Sequence, residues 1–171
     1  MKGPAGKKNL AANLWCWGLL SVGSILALIL APFWLAALRL CGRSWTLAAR
    51  EGIWLYGRMY ILAIRPFGKV RFRGQKASGG DSPAIVVVNH QSWLDLYLLG
   101  AQPFRNACLL VRGWPFQRLF FFQPLMRLAG YIETESQGNA KVILDRCREA
   151  PKNGTDIGGF PEGTRSQDGS R

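Results

Sequence analysis

The feature that most constrains this fold is an uncharged run near the N-terminus. The 30 positions between Lys8 and Arg39 carry no charged residue and are mostly apolar. As an α-helix rising ~1.5 Å per residue, the run would exceed the roughly 30 Å hydrocarbon core of a bilayer. Pro32 is expected to kink or divide such a helix, because proline lacks the N–H of the helical hydrogen bond. The run predicts a membrane-associated segment, either a tilted span or a re-entrant helix.

A secretory signal peptide is the alternative, because Lys2, Lys7 and Lys8 precede the run as a basic n-region would. The apolar core of a signal peptide has about 7–15 residues and ends at a cleavage site of small residues. The run here is much longer, which favours a retained membrane segment. Its orientation stays open, because Arg39 and Arg43 follow it as the lysines precede it.

A second helical stretch, RSWTLAAREGIWLYGRMYILAIR, occupies positions 43–65. Its arginines recur every seven or eight residues and share one quadrant of a helix: Arg43, Arg50, Arg58 and Arg65. Interspersed Trp and Tyr side chains suit the headgroup region of a membrane. The pattern predicts a helix in the membrane interface whose arginines reach anionic lipid. The alternative is a helix packed on the chain's own soluble domain, since Leu47, Trp54 and Ile61 share the same quadrant.

Charge and composition limit the partners. The 171 residues include 22 Lys and Arg against 10 Asp and Glu, a formal net charge of +12. Such an excess favours nucleic acid or an anionic membrane surface. Apolar residues make up 49% and tryptophans number 7, which favours membrane lipid and argues against nucleic acid. The scattered cysteines predict reduced thiols, without a disulfide framework or metal site: Cys16, Cys41, Cys108 and Cys147. No pattern specifies an oligomeric state.

The pattern of apolar and polar residues changes after Arg65-Pro66. This change divides N-terminal helices in residues 1–66 from an α/β domain in residues 67–171. Ala84–Val88 is a continuous apolar run, typical of a strand buried on both faces. Strand and helix patterns then alternate: KVRFR, AIVVV, CLLV, YIETE and TDIGGF as strands, and 94–99, PFQRLFFFQPLMRLAG (interrupted by proline) and NAKVILDRCREA as helices. The alternation predicts N-terminal membrane-associated helices followed by a mainly parallel sheet flanked by helices.

The lone histidine, His90, directly follows the apolar strand in the segment NHQSWLD. His90 and Asp95 would lie about 140° apart on a continuous helix, so they meet only if His90 lies in a strand-to-helix turn. Ser92 and Asp95 form a Ser-x-x-Asp capping pattern. One interpretation is therefore structural, with Asp95 satisfying helix amides and His90 ending the strand. The other places both at the carboxyl end of a strand, where open α/β sheets bind ligands.

A second motif, GGFPEGTRS, covers positions 158–166. It begins at the end of another short predicted strand, TDIGGF, and continues into a turn. Its small residues let backbone amides approach an anion, and Arg165 can bind phosphate bidentately. The alternative is an ordinary charged surface turn.

Together, NHQSWLD and FPEGTRS, in this order behind an apolar N-terminus, resemble the glycerolipid acyltransferase family typified by 1-acyl-glycerol-3-phosphate acyltransferase. The resemblance implies that residues 67–171 form the catalytic domain and residues 1–66 the membrane-anchoring helices. It implies that His90 is the general base and that Asp95 orients it. It also implies that the second motif binds the glycerol phosphate of the substrate: Phe160, Pro161, Glu162, Gly163, Thr164 and Arg165.

The implied reaction transfers a fatty acyl group from acyl carrier protein or coenzyme A to the free hydroxyl of a lysophospholipid. The expected acceptor is 1-acyl-glycerol-3-phosphate and the product phosphatidic acid, at the cytoplasmic face of a bacterial inner membrane. Histidine suits this chemistry, because imidazole accepts a proton near neutral pH and a carboxylate can fix its tautomer. The chain has no Gly-x-Ser-x-Gly elbow, and we expect neither an acyl-enzyme nor a cofactor or metal beyond the acyl donor.

Two departures from the family pattern define the alternatives. A middle block that usually ends in a phosphate-binding Arg reads GYIETES here, with Ser136 near that position and Glu133 and Glu135 beside it. Another acceptor, such as a lyso-ornithine lipid, is therefore an alternative. The family also continues with further strands after the second motif, which leads us to expect a shortened chain. A catalytically silent membrane-associated fragment and a basic surface or nucleic-acid-binding protein are the remaining alternatives.

Overall fold

The computed structural model describes residues 5–66, 82–100, 102, 104, 106–135 and 140–163. The predicted strand KVRFR at positions 69–73 and most of the following loop lie outside these residues. The described ranges form these elements in chain order: α1 (Ala5–Leu40), α2 (Trp45–Ala63), β1 (Ile85–Val87), α3 (Asp95–Gly100), β2 (Ala107–Val111), α4 (Gly113–Arg118), α5 (Gln123–Leu128), β3 (Ile132–Glu133), α6 (Ala140–Lys152) and β4 (Asp156–Gly159).

The four described strands pair in parallel in the order β1-β4-β2-β3. Gly158 packs closely in this sheet, since a Cβ built on it would lie 2.7 Å from Leu109 Cδ2 and would require that methyl group to shift. Ile157 of β4 is buried and pairs with Ile85 on one side and with Cys108 on the other. The predicted α/β architecture with a parallel sheet is confirmed.

Strand β1 corrects the expectation of a strand buried on both faces. Ile85 and Val87 are 72% and 66% exposed, and Val86 between them is half-buried. Alternate side chains of a strand point to opposite faces of the sheet, and Val86 lines a small cavity together with residues of α2 and α3. Ile85 and Val87 point to the opposite face of the sheet, where they line an open groove.

Helix α1 continues through Pro32 from Ala5 to Leu40, so the expected division of this helix is wrong. Proline removes one backbone hydrogen bond, but the remaining bonds of an apolar helix face little competition from water, and a long helix tolerates the loss. By length and composition, the 31 residues Leu10–Leu40 are sufficient to cross a membrane.

Helices α1 and α2 form a hairpin joined by a short turn. Ser44 caps α2 by accepting a hydrogen bond from the backbone N–H of Leu47 at 3.2 Å. Trp34 Nε1 donates to the carbonyl of Ala48 at 3.0 Å, which brings the two helices into close contact. Further along, Ser24 Oγ and the hydroxyl of Tyr56 lie 2.8 Å apart. Hydrogen bonds that involve side chains, as well as apolar packing, therefore hold α1 against α2.

Helix α2 packs on the α/β domain, as the alternative interpretation of this stretch expected, and the predicted lipid-facing role is wrong for Arg50. Arg50 donates to the carbonyl of Ala129 and to Asn106 Oδ1, both at 2.8 Å, and to Thr155 Oγ1 at 3.0 Å. Its guanidinium is therefore engaged inside the protein and does not reach lipid. Small and aromatic residues form the buried face of the helix: Ala48, Ala49, Gly57, Tyr60 and Ile61.

Candidate active site

His90 lies in the turn that connects β1 to α3, at the carboxyl end of the sheet. The pairing of β1 with β4 continues one step past the strand, where the backbone N–H of Val88 donates to the carbonyl of Gly159 at 3.1 Å. The chain then leaves the sheet and enters α3 at Asp95. The structure thus places His90 in the strand-to-helix turn and Asp95 in the helix, as the spacing of the motif requires.

The side chains of His90 and Asp95 meet. His90 Nδ1 lies 2.9 Å from Asp95 Oδ2, and the same oxygen accepts hydrogen bonds from the backbone N–H groups of Gln91 and Ser92 at 2.7 Å each. Ser92 Oγ in turn accepts from the backbone N–H of Leu94 at 3.1 Å. One carboxylate both caps the helix and contacts the imidazole, so the two interpretations of the motif are compatible.

This network assigns the tautomer of His90. An ionised carboxylate accepts hydrogen bonds and cannot donate them, so the proton in the bond between His90 and Asp95 belongs to Nδ1. The other ring nitrogen, Nε2, then carries a lone pair that can accept a proton. Both side chains are largely shielded, with 19% of His90 and 11% of Asp95 exposed.

The second motif meets the first because β4 and β1 are neighbours in the sheet. The ring of Phe160 stacks on His90, with centroids 4.4 Å apart and planes inclined by 26°. Glu162 Oε2 accepts from the backbone N–H of His90 at 3.3 Å. Gly163 has a φ of +63°, a conformation that favours glycine, and its N–H closes the turn on the Phe160 carbonyl at 3.1 Å.

The predicted roles of the second motif in binding substrate remain predictions. The carboxylate of Glu162 contacts the backbone of His90, and Pro161 and Gly163 line the groove beside it. Thr164 and Arg165, which the resemblance implicates in phosphate binding, lie outside the described residues. The same holds for Ser136.

A groove of about 380 Å³ opens beside the two motifs. His90, Arg112 and Thr134 are its polar or charged lining residues, and the rest of the described lining is apolar or glycine. Ile85 and Val87, the exposed residues of β1, contribute to this apolar surface. The groove combines a base, a cation and a surface suited to hydrocarbon.

Sequence reasoning missed Arg112. This residue follows β2 directly, and its Nη1 donates to the carbonyl of Gly163 at 3.3 Å. Its Nε and Nη2 each lie 2.5 Å from Glu135 Oε1, and the backbone N–H of Gly113 donates to Glu135 Oε2 at 3.0 Å. These hydrogen bonds lower the pKa of Glu135, led by those from Arg112. The signal in the sequence was an arginine at the carboxyl end of a parallel strand, where the ligand site of such a sheet lies.

Cysteine and metal-ligating residues contribute no further site in the described ranges. All four cysteines have free thiols. Within the part of the chain that the structure describes, no three His, Cys, Asp or Glu side chains are grouped to hold a metal ion.

Sequence comparisons with known proteins identify a family and several relatives. The family described as Acyltransferase matches residues 69–171. The chloroplastic 1-acyl-sn-glycerol-3-phosphate acyltransferase of Arabidopsis thaliana is 34% identical over 117 residues, which cover 63% of this chain and 31% of the relative. Its counterpart in Brassica napus is also 34% identical over 117 residues, covering 63% of this chain and 32% of the relative.

A putative 1-acyl-sn-glycerol-3-phosphate acyltransferase of Caenorhabditis elegans is 27% identical over 103 residues, or 56% of this chain and 35% of the relative. The chain spans about a third of the length of these curated relatives. No solved structure matches it significantly. Because the family match covers more than half of the sequence and includes both motifs, the chain belongs to the acyltransferase family.

Proposed function

We propose that this protein transfers a fatty acyl group from a thioester donor to the free hydroxyl of a lysophospholipid, namely 1-acyl-glycerol-3-phosphate, to give phosphatidic acid. The observation that carries the proposal is the 2.9 Å contact between His90 Nδ1 and Asp95 Oδ2 beside an apolar groove. The names of the relatives, which are 1-acyl-sn-glycerol-3-phosphate acyltransferases, support the choice of acceptor.

The chemistry requires a base and a way to hold it. As the acceptor oxygen attacks the thioester carbonyl carbon, His90 Nε2 takes the hydroxyl proton, and Asp95 stabilises the imidazolium that forms. Collapse of the tetrahedral intermediate breaks the C–S bond, and the departing thiolate takes the proton from Nε2. The acyl group passes directly from sulfur to oxygen, so the protein supplies no nucleophile of its own. General base catalysis of this kind contributes about 10²–10⁴-fold to the rate.

Two contacts fix the imidazole before substrate arrives. Asp95 holds Nδ1, and the ring of Phe160 lies against one face of the imidazole. Asp95 is fixed in turn by two backbone N–H groups. A base whose orientation is set in advance loses less entropy when the reaction begins, which favours the transition state.

The groove supplies contacts for both ends of the acceptor. Its apolar lining suits an acyl chain, and the guanidinium of Arg112 suits a phosphate. We propose Thr164 and Arg165 as further phosphate ligands on the resemblance alone. Either acyl carrier protein or coenzyme A carries the acyl donor in this proposal.

The acceptor and product are membrane lipids, which suits a chain with a long apolar helix. We place the protein at the cytoplasmic face of a bacterial inner membrane, where α1 holds it in the bilayer. The net charge of +12 adds attraction to anionic lipid.

An assay of the full chain in detergent tests the proposal. Acyl carrier protein and coenzyme A, each carrying a labelled fatty acyl group, would be offered as donors. The panel of acceptors would include 1-acyl-glycerol-3-phosphate and a lyso-ornithine lipid. We expect labelled phosphatidic acid, and we expect His90→Ala to reduce transfer by about 10²–10⁴-fold while the protein stays folded and bound to the membrane. Full activity of His90→Ala would contradict the mechanism. Transfer to the lyso-ornithine lipid alone would replace the acceptor, and no transfer to any lysolipid would identify a silent chain.

A further inference from the structure

The charge pattern around α4 and α5 is one-sided. No Asp or Glu occurs in residues 96–132, whereas this stretch contains four arginines: Arg105, Arg112, Arg118 and Arg127. Arg118 and Arg127 are exposed in the described part of the chain. Glu133 and Glu135 follow this stretch and lie beside Gly113, where Glu135 pairs with Arg112. Among the described residues no ion pair engages Arg118 or Arg127, so the surface around these two arginines favours an anionic partner.

The same segment presents large aromatic side chains to solvent. Phe120 is 76% exposed, Trp114 53% and Phe121 46% in the described structure. The rings of Phe120 and Phe121 contact each other edge to face, with centroids 5.4 Å apart. We call Gly113–Leu128, with these three aromatics and Arg118 and Arg127, the aromatic-basic patch. Contiguous exposed aromatics with basic neighbours are typical of surfaces that enter the membrane interface.

The patch is held on the protein from its inner side. Phe116 and Met126 are buried in a cluster with Ala49 of α2. The exposed aromatic residues therefore lie on a segment whose opposite face is packed into the core of the protein. Their exposure is not a consequence of a loose segment, because α4 and α5 are fixed by this core.

The patch lies between the groove and α1. Trp114 lines the groove that contains His90. At the other end, Phe122 packs on the same cluster as Leu35 of α1. The nearby C-terminal part of α1 exposes Phe33 and Leu40. A bilayer that holds α1 is thus adjacent to the patch, and the patch is adjacent to the groove.

We infer that the aromatic-basic patch docks on the surface of an anionic phospholipid bilayer, so that the groove opens toward the lipid phase. Trp114, Phe120 and Phe121 enter the headgroup region, and Arg118 and Arg127 bind lipid phosphates. The inference rests on the proposed function in taking the acceptor to be a bilayer lipid. An acidic carrier protein would pair with the arginines, but it would leave the exposed phenyl rings without an apolar partner, so the bilayer fits better.

Site-specific fluorescence tests the inference in the full chain. An environment-sensitive dye would be attached to Phe120→Cys in a background that lacks the accessible cysteines: Cys16→Ser, Cys41→Ser and Cys147→Ser. The matched control is Lys152→Cys, an exposed position at the end of α6. Protein in phosphatidylcholine vesicles, with or without phosphatidylglycerol, would be exposed to lipids that carry a quencher near the headgroup.

We expect strong quenching at position 120, enhanced by phosphatidylglycerol, and little at position 152. Each arginine near an anionic surface biases docking by about fivefold, so Arg118→Gln with Arg127→Gln should shift the docking equilibrium about 25-fold. Equal quenching at positions 120 and 152 in both kinds of vesicle would overturn the inference. Protection of the dye only after acidic acyl carrier protein is added would overturn it in favour of a protein partner.

A second variant separates docking from folding and from catalysis. Phe120→Ser with Phe121→Ser changes two exposed rings, so thermal stability should stay close to that of the unaltered protein. We expect a higher KM for acceptor presented in phosphatidylglycerol vesicles and an unchanged kcat for acceptor dispersed in detergent. An unchanged KM in vesicles would count against docking. The quenching experiment needs no turnover, so a failure of the proposed activity and a failure of docking are distinguishable.

Discussion

The two ends of the parallel sheet are built for different tasks. At the amino ends of β2 and β4, Arg50 donates to Asn106, which precedes β2, and to Thr155, which precedes β4. At the carboxyl ends, His90 and Arg112 line an open groove. The amino end is closed by a polar network that fixes the strands to α2, and the carboxyl end leaves polar groups facing a ligand space. A substitution should therefore affect stability at one end and catalysis at the other.

The largest effect is expected from Asp95→Asn at the carboxyl end. Asparagine keeps an oxygen that can accept the backbone N–H bonds of the cap, but it loses the charge that holds His90 Nδ1–H. In a Ser-His-Asp triad the corresponding change reduces kcat by about 10⁴-fold, and we expect a similar loss here. Steady-state kinetics with a saturating acyl donor measures this loss. A kcat within tenfold of the wild type would show that Asp95 serves only as a helix cap.

The next effect is expected at the amino end, from Arg50→Met. This variant keeps much of the aliphatic volume but leaves the oxygens of Asn106 and Ala129 without the guanidinium. We expect a loss of about 2–3 kcal/mol in the free energy of unfolding, because partly buried acceptors lose their donor. Chemical denaturation in detergent measures it, with kcat per folded molecule unchanged.

Arg58→Met is the matched control for Arg50→Met on the same helix. Arg58 is exposed and lies over the ring of Trp54, with Cζ 5.4 Å from the centroid. An exposed cation–π contact contributes about 0.5–1 kcal/mol, so Arg58→Met should cost less than Arg50→Met. Equal costs for the two variants would show that the hydrogen bonds of Arg50 at the amino end do not stabilise the sheet.

The carboxyl end could be predicted from the sequence because its central contact is local. His90 and Asp95 are five residues apart, and the capping pattern with Ser92 fixes how the helix begins. Arg50 acts across separations of 56, 79 and 105 residues, and no local pattern reports such partners. The regular spacing of the arginines therefore suggested a stripe of four lipid-facing side chains, whereas folding turns Arg50 into the protein and leaves Arg43, Arg58 and Arg65 exposed.

The burial of the strands could not be predicted from local sequence patterns either. The apolar run of β1 predicted a fully buried strand, yet β1 lies at the edge of the described sheet and exposes Ile85 and Val87. The polar, glycine-containing β4 is central instead. Strand order is set by crossovers between distant segments, and a side chain at position 158 would require Leu109 Cδ2 to shift. Composition alone does not encode that order.

A smaller effect is expected from Ser92→Ala, which separates the capping of α3 from catalysis at the carboxyl end. Ser92 Oγ accepts from the backbone N–H of Leu94, so alanine leaves one helix amide without that partner. Loss of such a cap typically costs about 1 kcal/mol. The contact of His90 with Asp95 remains, so kcat should stay near that of the unaltered protein. Thermal unfolding and kinetics of one preparation test both expectations, and a fall in kcat without a fall in stability would contradict them.

The smallest effect is expected from Glu135→Gln, which removes the ion pair with Arg112. Both side chains are more than 40% exposed, so solvent screens the pair and its effect on stability should be slight. Because the hydrogen bonds from Arg112 lower the pKa of Glu135 in the folded state, the pair stabilises the protein above the ordinary glutamate pKa of about 4.3. That contribution disappears as the pH falls through the lowered folded-state value.

The thermal midpoints of Glu135→Gln and the unaltered protein should therefore differ slightly near neutral pH and converge in strong acid. A difference that stays constant with pH would show that Glu135 acts through packing and not through its charge. In kinetics, the variant frees the guanidinium of Arg112 at the groove, so KM for a phosphate-bearing acceptor should fall modestly. An exposed arginine at the carboxyl end would then affect binding more than stability, the reverse of what Arg50 does at the amino end.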